Sequence, residues 1–202
     1  MESKLKFLKT AFDDFYGPGN TNIKEYNNTK YTGRIAPTDQ NVYVHDCFFQ
    51  SCSSSSNGGA ISCGSSVYKL LVEQTSFVSC STSNSYGGAI YFYSTSYGEC
   101  ILSKICGFDC SSTNPSNSWG QFAHTNTKTD ATYKNYVNDS TFTHSTNWNS
   151  GSYETLWLYY GNILCPSINI TDNSYYGWTA LLCCPTTGTG SPTPYPSCLS
   201  YS

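Results

Sequence analysis

The chain has 202 residues, of which only 11% are charged and 16% are aromatic, with a formal net charge of −3 and a single arginine, Arg34. So many aromatics exclude a charge-driven disordered chain, and the lack of clustered Lys and Arg excludes a nucleic-acid binder. One Met, with little Ala, Leu or Glu, argues against a helical protein, whereas abundant Tyr, Phe, Thr and Val suit a pleated, half-buried surface.

Residues 1–40 read as a cap and lead-in. Leu5, Leu8, Phe12 and Phe15 fall on one face of a helix that stops at Gly17-Pro18-Gly19. A short capping helix is expected there, placed to cover the open end of a stack. Lys6, Lys9, Asp13 and Asp14 interrupt the segment, so it lacks the apolar core of a secretory signal. No apolar run approaches the ~18–20 residues of a bilayer-spanning helix.

Residues 41–184 carry a repeat. Phe49-Gln50-Ser51-Cys52 followed by Gly58-Gly59-Ala60-Ile61 recurs as Phe77-Val78-Ser79-Cys80 followed by Gly87-Gly88-Ala89-Ile90, offset by 28 residues and then 29. A period in the range of about 20–50 residues makes one coil the unit of folding. The register extends further. Cys52, Cys80, Cys110, Ser145 and Asn173 form one column, and Phe49, Phe77, Gly107, Phe142 and Ile170 another. Val44, Val72, Leu102, Val137 and Cys165 stand two residues beyond Val42, Leu70, Cys100, Asn135 and Ile163. That spacing is the period of a strand with one face inward. The Phe column has the opposite parity, so a corner is expected between it and the Val columns.

The Gly-Gly pairs mark a second corner, tight enough to need positive φ or close backbone approach. Ala60 and Ala89 follow where a larger side chain would crowd, and Ile61 and Ile90 return inward. Trp119-Gly120-Gln121-Phe122 reads as a degraded third copy. With its short coils and no helix per unit, the expected fold is all-β, a right-handed parallel β-helix of about five coils. Residues 185–202, rich in Pro, Thr and Ser, read as an extended tail.

Candidate chemistry is thin. The eleven cysteines fit an oxidising compartment, but no CxxC pair is present and a zinc site is not expected. Cys52, Cys80 and Cys110 read as inward side chains stacked coil on coil; disulfides between coils are sterically allowed and stay open. The column Asp46, Gln74, Lys104, Asp139 and Ser167 builds no carboxylate cluster of the kind polysaccharide cleavage needs. Asp13-Asp14 lies in the helix, and Asp109 and Asp172 are two coils apart. His45, His124 and His144 share no column. No catalytic residue, cofactor or metal is therefore assigned. Asn27, Asn138 and Asn169 head N-glycosylation sequons. Tyr91-Phe92-Tyr93, Trp157-Leu158-Tyr159-Tyr160 and Tyr175-Tyr176-Gly177-Trp178 are aromatic runs whose outward members would form a binding face if they align on one side of the solenoid.

GGAI tetrapeptides paired with Phe-x-x-Asn motifs are the signature of polymorphic outer-membrane protein repeats, and over roughly residues 41–182 the chain resembles that group and the pectin-lyase-like β-helix proteins. Cys stands for the motif's Asn at 52, 80 and 110, and only Asn173 keeps the amide, behind Ile170. The resemblance implies extracellular or cell-surface placement and partners among host or cell-surface glycans or proteins. The expected function is non-enzymatic adhesion or ligand contact; the alternatives are a carbohydrate-active enzyme of pectin-lyase-like fold and a structural spacer of a larger surface protein.

Overall fold

A computed structural model describes residues 11–83, 86–113, 119–145, 154–173, 181–184 and 199–200. Helix α1 (Ala11–Tyr16) precedes strands β1 (Ile23–Asn27) and β2 (Lys30–Tyr31). The first coil is β3 (Asn41–His45), β4 (Phe48–Gln50), β5 (Ser53–Ser54) and β6 (Ile61–Cys63). The second is β7 (Lys69–Glu73), β8 (Ser76–Val78), β9 (Ser81–Thr82) and β10 (Ile90–Tyr93). The third is β11 (Glu99–Ser103), β12 (Cys106–Phe108), β13 (Ser111–Ser112) and β14 (Ala123–Asn126). Then come β15 (Lys134–Asn138), β16 (Ser140–Thr143) and β17 (Leu156–Tyr159), followed by β18 (Asn162–Leu164), β19 (Ile168–Thr171), β20 (Leu181–Cys184) and β21 (Leu199–Ser200).

Each strand pairs in parallel with its equivalent one coil on. The sheets run β1-β3-β7-β11-β15-β18, β2-β4-β8-β12-β16-β19-β21, β6-β10-β14-β17-β20 and β5-β9-β13. The result is an all-β parallel solenoid of about four turns, against the five coils expected. Residues 174–180, between β19 and β20, lie outside the described residues. The first two strands join the stack from within the stretch read as lead-in.

The expected columns are the observed register. Val42, Leu70, Cys100, Asn135 and Ile163 pair in sequence, as do Phe49, Phe77, Gly107, Phe142 and Ile170. The parity change between them is made by one left-handed residue per coil: Asp46 (φ 52°), Gln74 (48°), Lys104 (54°), Asp139 (49°) and Ser167 (54°). Ser51, Ser79, Asp109, His144 and Asp172 make a second such corner just before the Cys/Asn column, with φ between 52° and 56°. These two columns hold most of the acids considered for catalysis, and their conformation gives them a turning role.

The third corner is the Gly-Gly step. Gly58, Gly87 and Gly120 have φ of 71°, 66° and 68°. A Cβ on Gly88 would stand 2.1 Å from the Gln121 carbonyl oxygen and 2.5 Å from the Ser111 carbonyl carbon. The degraded third copy is therefore shifted by one from the sequence expectation. Gly120-Gln121-Phe122-Ala123 matches GGAI, and Trp119 stands in register with Tyr86, since Gly87 N–H donates to the Trp119 carbonyl and Gly58 N–H to that of Tyr86. Gln121 has a reason to replace glycine. The small sheet ends at β13, and the Gln121 Oε1 accepts the Ser112 N–H at 2.9 Å in place of a next strand.

The core is the solenoid interior, with Phe49, Phe77, Phe122, Phe142, Ile61, Ile90, Leu70 and Leu102 fully buried. Cys52, Cys80 and Cys110 are buried free thiols within it.

The helix corrects an expectation. It does not cover the open end of the stack but lies on the flank of the six-stranded sheet. Phe12, fully buried, packs with Tyr43, Leu71 and Ile101, the outward residues of three consecutive strands. The Tyr16 hydroxyl donates to the Leu70 carbonyl at 2.6 Å, and Lys134 Nζ donates to the Phe15 carbonyl. The strands NVYVH, KLLVE and ECILS are near-continuous apolar runs because that sheet is buried on both faces. Leu5 and Leu8 lie outside the described residues.

Candidate functional site

The outward side chains of the five-stranded sheet form an aromatic wall. Strand alternation buries Phe92 and Leu158 completely and turns Tyr91, Tyr93, Trp157 and Tyr159 outward. The register then stacks Tyr91 on His124 and His124 on Trp157, with centroids 5.4 and 6.1 Å apart and planes within 23° and 8°. A second file runs from Tyr86 to Trp119 (5.1 Å, 14°) and on to Trp157 (4.7 Å, 13°). Tyr93 lies parallel to Tyr91 (6.2 Å, 5°), and Tyr159 lies 6.2 Å from Trp157. Aromatic contacts of this kind contribute roughly 0.5–1.5 kcal/mol each beyond area burial.

The wall encloses a hollow of about 250 Å³ lined by Tyr86, Tyr91, Tyr93, Trp119, His124, Asn126, Trp157 and Tyr159. None of these is a Lys, Arg, Asp or Glu. His124 is 5% exposed, and burial holds its imidazole down at about 4. Burial and the neighbouring tyrosines push the Tyr91 phenol up to about 12. Two polar atoms at the hollow are buried and unpartnered among the described residues, His124 Nδ1 and Asn126 Oδ1. Orphan buried acceptors are uncommon and invite a ligand or water.

Two other hollows are larger, and some of their polar groups are already engaged. In the one of about 400 Å³ lined by Tyr68, Lys69, Tyr97, Glu99 and Tyr133, Lys69 Nζ donates to Asn20 and Glu99 Oε2 accepts the Lys134 N–H. The one of about 380 Å³ lies between α1 and the six-stranded sheet, where Lys134 binds the Phe15 carbonyl.

The remaining candidates are dispersed. His45 sits between Glu25 (2.7 Å) and Asp46 (2.8 Å); burial pulls its pKa down, but the hydrogen bonds to Asp46 and Glu25 outweigh this and raise it. The Tyr43 hydroxyl donates to Glu73 at 3.0 Å, and Lys104 lies 3.6 Å from Glu73. Arg34 Nη1 donates to Ser54, Ser56 and the Asn57 carbonyl, tying the lead-in to the first coil. His144 packs on Phe108, and Ser79 donates to Asp109 at 2.8 Å. Among the described residues no group of His, Cys, Asp and Glu is placed to hold a metal ion, and no helix is long and apolar enough to cross a membrane. The Tyr175–Trp178 run lies outside the described residues.

The sequence singles out the runs that hold Tyr91, Tyr93, Trp157 and Tyr159 and leaves open whether their outward members share a face; those runs give no sign of Tyr86, Trp119, His124 and Asn126 as members. The available signal was the residue before the left-handed glycine: aligning on Gly120 puts Trp119 in the Tyr86 column and His124 in the Tyr91 column.

Fold and face together define a parallel β-solenoid with a solvent-facing aromatic sheet. No family model, no curated protein and no solved structure matches the chain.

Proposed function

We propose that the protein is a non-enzymatic contact module of the cell surface or extracellular space that binds glycans through its aromatic sheet. The observation that carries this reading is the alignment of Tyr91, Tyr93, Trp119, Trp157 and Tyr159 on one face, around a hollow with no charged side chain among the described residues. Rings held rigidly on a solenoid lose little entropy when a sugar stacks on them. The enzyme alternative has less support, since the acids of the two corner columns serve the backbone turn. Of the three sequons, Asn27 is exposed, whereas the Asn138 amide donates to Ser103 Oγ at 3.0 Å and Asn169 is half-buried. Asn27 is thus the glycosylation site we favour.

The test is a glycan-binding screen of the recombinant full chain, read by tryptophan emission and by release of new reducing ends. Binding with a shift in emission and no new reducing ends is expected. Glycan turnover would overturn the non-enzymatic reading, and a chain that binds no glycan would overturn the glycan reading.

A further inference from the structure

The register pairs Tyr93 with Asn126 and Asn126 with Tyr159. A short amide thus stands between two tyrosines that are two coils apart, and the aromatic file is interrupted at that point only on its outer edge. One strand position inward, Tyr91, His124 and Trp157 continue without a gap. We infer that this gap is a subsite for one neutral pyranose ring, held between the rings of Tyr93 and Tyr159 over the side chain of Asn126. The inference rests on the glycan reading and names where, and what kind of, sugar is held.

Three observations converge on it. The first is width. Two sheet spacings of ~4.8 Å set the backbones that carry the two tyrosines about 9.6 Å apart. Two van der Waals contacts of ~3.5–4.0 Å consume roughly 7–8 Å of that. The remainder of about 2 Å suits a puckered ring; a flat aromatic side chain would leave one wall untouched. The second is polarity. Asn126 Oδ1 and His124 Nδ1 lack partners among the described residues, and a sugar presents hydroxyls along its edge that donate to and accept from an amide. Both atoms are already shielded and unpartnered in the free chain, so an apolar occupant gains nothing from them, whereas a sugar hydroxyl that reaches either would gain a hydrogen bond. The third is charge. Among the described residues the hollow's lining contains no Lys, Arg, Asp or Glu, so a uronate or sialic acid carboxylate entering it would lose water and gain no counter-charge.

The experiment measures, by titration calorimetry on the full chain, five probes of equal length: neutral tetrasaccharides of β-linked glucose, α-linked mannose, β-linked galactose and β-linked N-acetylglucosamine, and acidic tetragalacturonate. At least one neutral probe is expected to bind, and more tightly than tetragalacturonate. Asn126→Tyr, which fills the gap with a third ring and leaves the core untouched, is expected to weaken that probe at least about tenfold with an unchanged melting temperature. Tyr93→Ala, which removes one wall at a 42% exposed position, is expected to weaken it by about tenfold, the share of one stacked ring. If Asn126→Tyr and Tyr93→Ala both bind like wild type while Trp157→Ala does not, the subsite is wrong and the aromatic face stands. If tetragalacturonate binds most tightly, the neutral assignment is overturned. If wild type binds none of the five, both the subsite and the reading beneath it fail.

Discussion

The ring of Phe122 occupies the space in which a side chain on Gly107 would stand: a Cβ there would lie 2.5 Å from Phe122 Cε2. Gly107 belongs to the column that otherwise reads Phe49, Phe77, Phe142 and Ile170, and Phe122 belongs to the corner column that otherwise reads Ala60 and Ala89. The third coil has exchanged a large and a small residue between two walls of the core. The aromatic stack stays continuous, since Phe122 sits 5.5 Å from Phe77 and 4.6 Å from Phe142. Gly107→Phe alone should overpack the core, and Phe122→Ala alone should leave a cavity costing about 3–5 kcal/mol. The double variant restores the pattern of the first two coils. Chemical denaturation should show it more stable than either single variant, with a coupling energy of at least about 2 kcal/mol; additive losses would refute the exchange.

The Cys column and the lone Asn do one job. Asn173 Nδ2 donates to the Phe142 carbonyl at 2.9 Å, and its Oδ1 accepts the Ser145 N–H at 2.6 Å. Cys80 and Cys110 point their thiols at the carbonyls of Phe49 and Phe77, each at 3.7 Å. A thiol is the weaker donor. Cys110→Asn should therefore hold or raise the melting temperature, whereas Cys110→Val, which deletes the donor, should cost about 1 kcal/mol. A Cys110→Asn protein less stable than Cys110→Val would break the equivalence.

At the Gly-Gly corner the constraint is contact with backbone, which cannot yield as a side chain can. Gly88→Ala should cost about 3 kcal/mol or more, because its Cβ meets the Gln121 and Ser111 backbone. Gly64→Ala is the matched control: nothing lies within 4 Å of its Cβ and its φ is not positive. Thermal melts of the two variants should differ by many degrees, and equal melts would remove the glycine argument.

The solenoid was legible because its signal is redundant. The columns are mostly apolar and recur at similar steps, so Val42 through Ile163 could be aligned without knowing any turn. The left-handed corners were less legible. Asp46, Gln74, Lys104 and Asp139 share a conformation but mix acid, amide and base, so they read as a mixed polar column. The third GGAI copy slipped by one because Gln121 and Phe122 each meet a local need, a strand-edge N–H and a missing Phe. The aromatic face was half legible for the same reason: its runs show within one strand, but its files run across coils, where only a correct alignment brings Trp119 to Tyr86.

The flank site of the helix was not legible because the repeat marks the inward columns of Val42 and Val44, and nothing in the pattern says what covers Tyr43, Leu71 and Ile101 on the outer face between them. Phe12 is that cover. Phe12→Ala should cost about 3 kcal/mol or more and expose the Leu71–Ile101 stripe. Binding of a hydrophobic dye to the folded variant, weak in wild type, is the expected signature; a variant without dye binding and with an unchanged melting temperature would place the helix elsewhere.

Two buried groups give stability opposing pH dependences. His124 titrates at about 4 against an ordinary 6.5. The unfolded chain takes up that proton first, so stability falls by about 3 kcal/mol as pH drops from 6.5 to 4. Glu154, buried with Oε2 unpartnered among the described residues, is pushed by burial up to about 7 from 4.5. Its contribution is present below 4.5 and is lost as pH rises through 7. Between 4.5 and 6.5 the two slopes have opposite sign and offset each other. Each variant should unmask the other group when its stability curve is subtracted from that of wild type. Glu154→Gln should gain stability relative to wild type as pH rises from 4.5 to 7. His124→Phe should gain stability relative to wild type as pH falls from 6.5 to 4, and it keeps the ring that stacks between Tyr91 and Trp157. Denaturation midpoints at half-unit pH steps measure both differences, and a flat difference curve for either variant would show that its group titrates alike in the folded and unfolded chains.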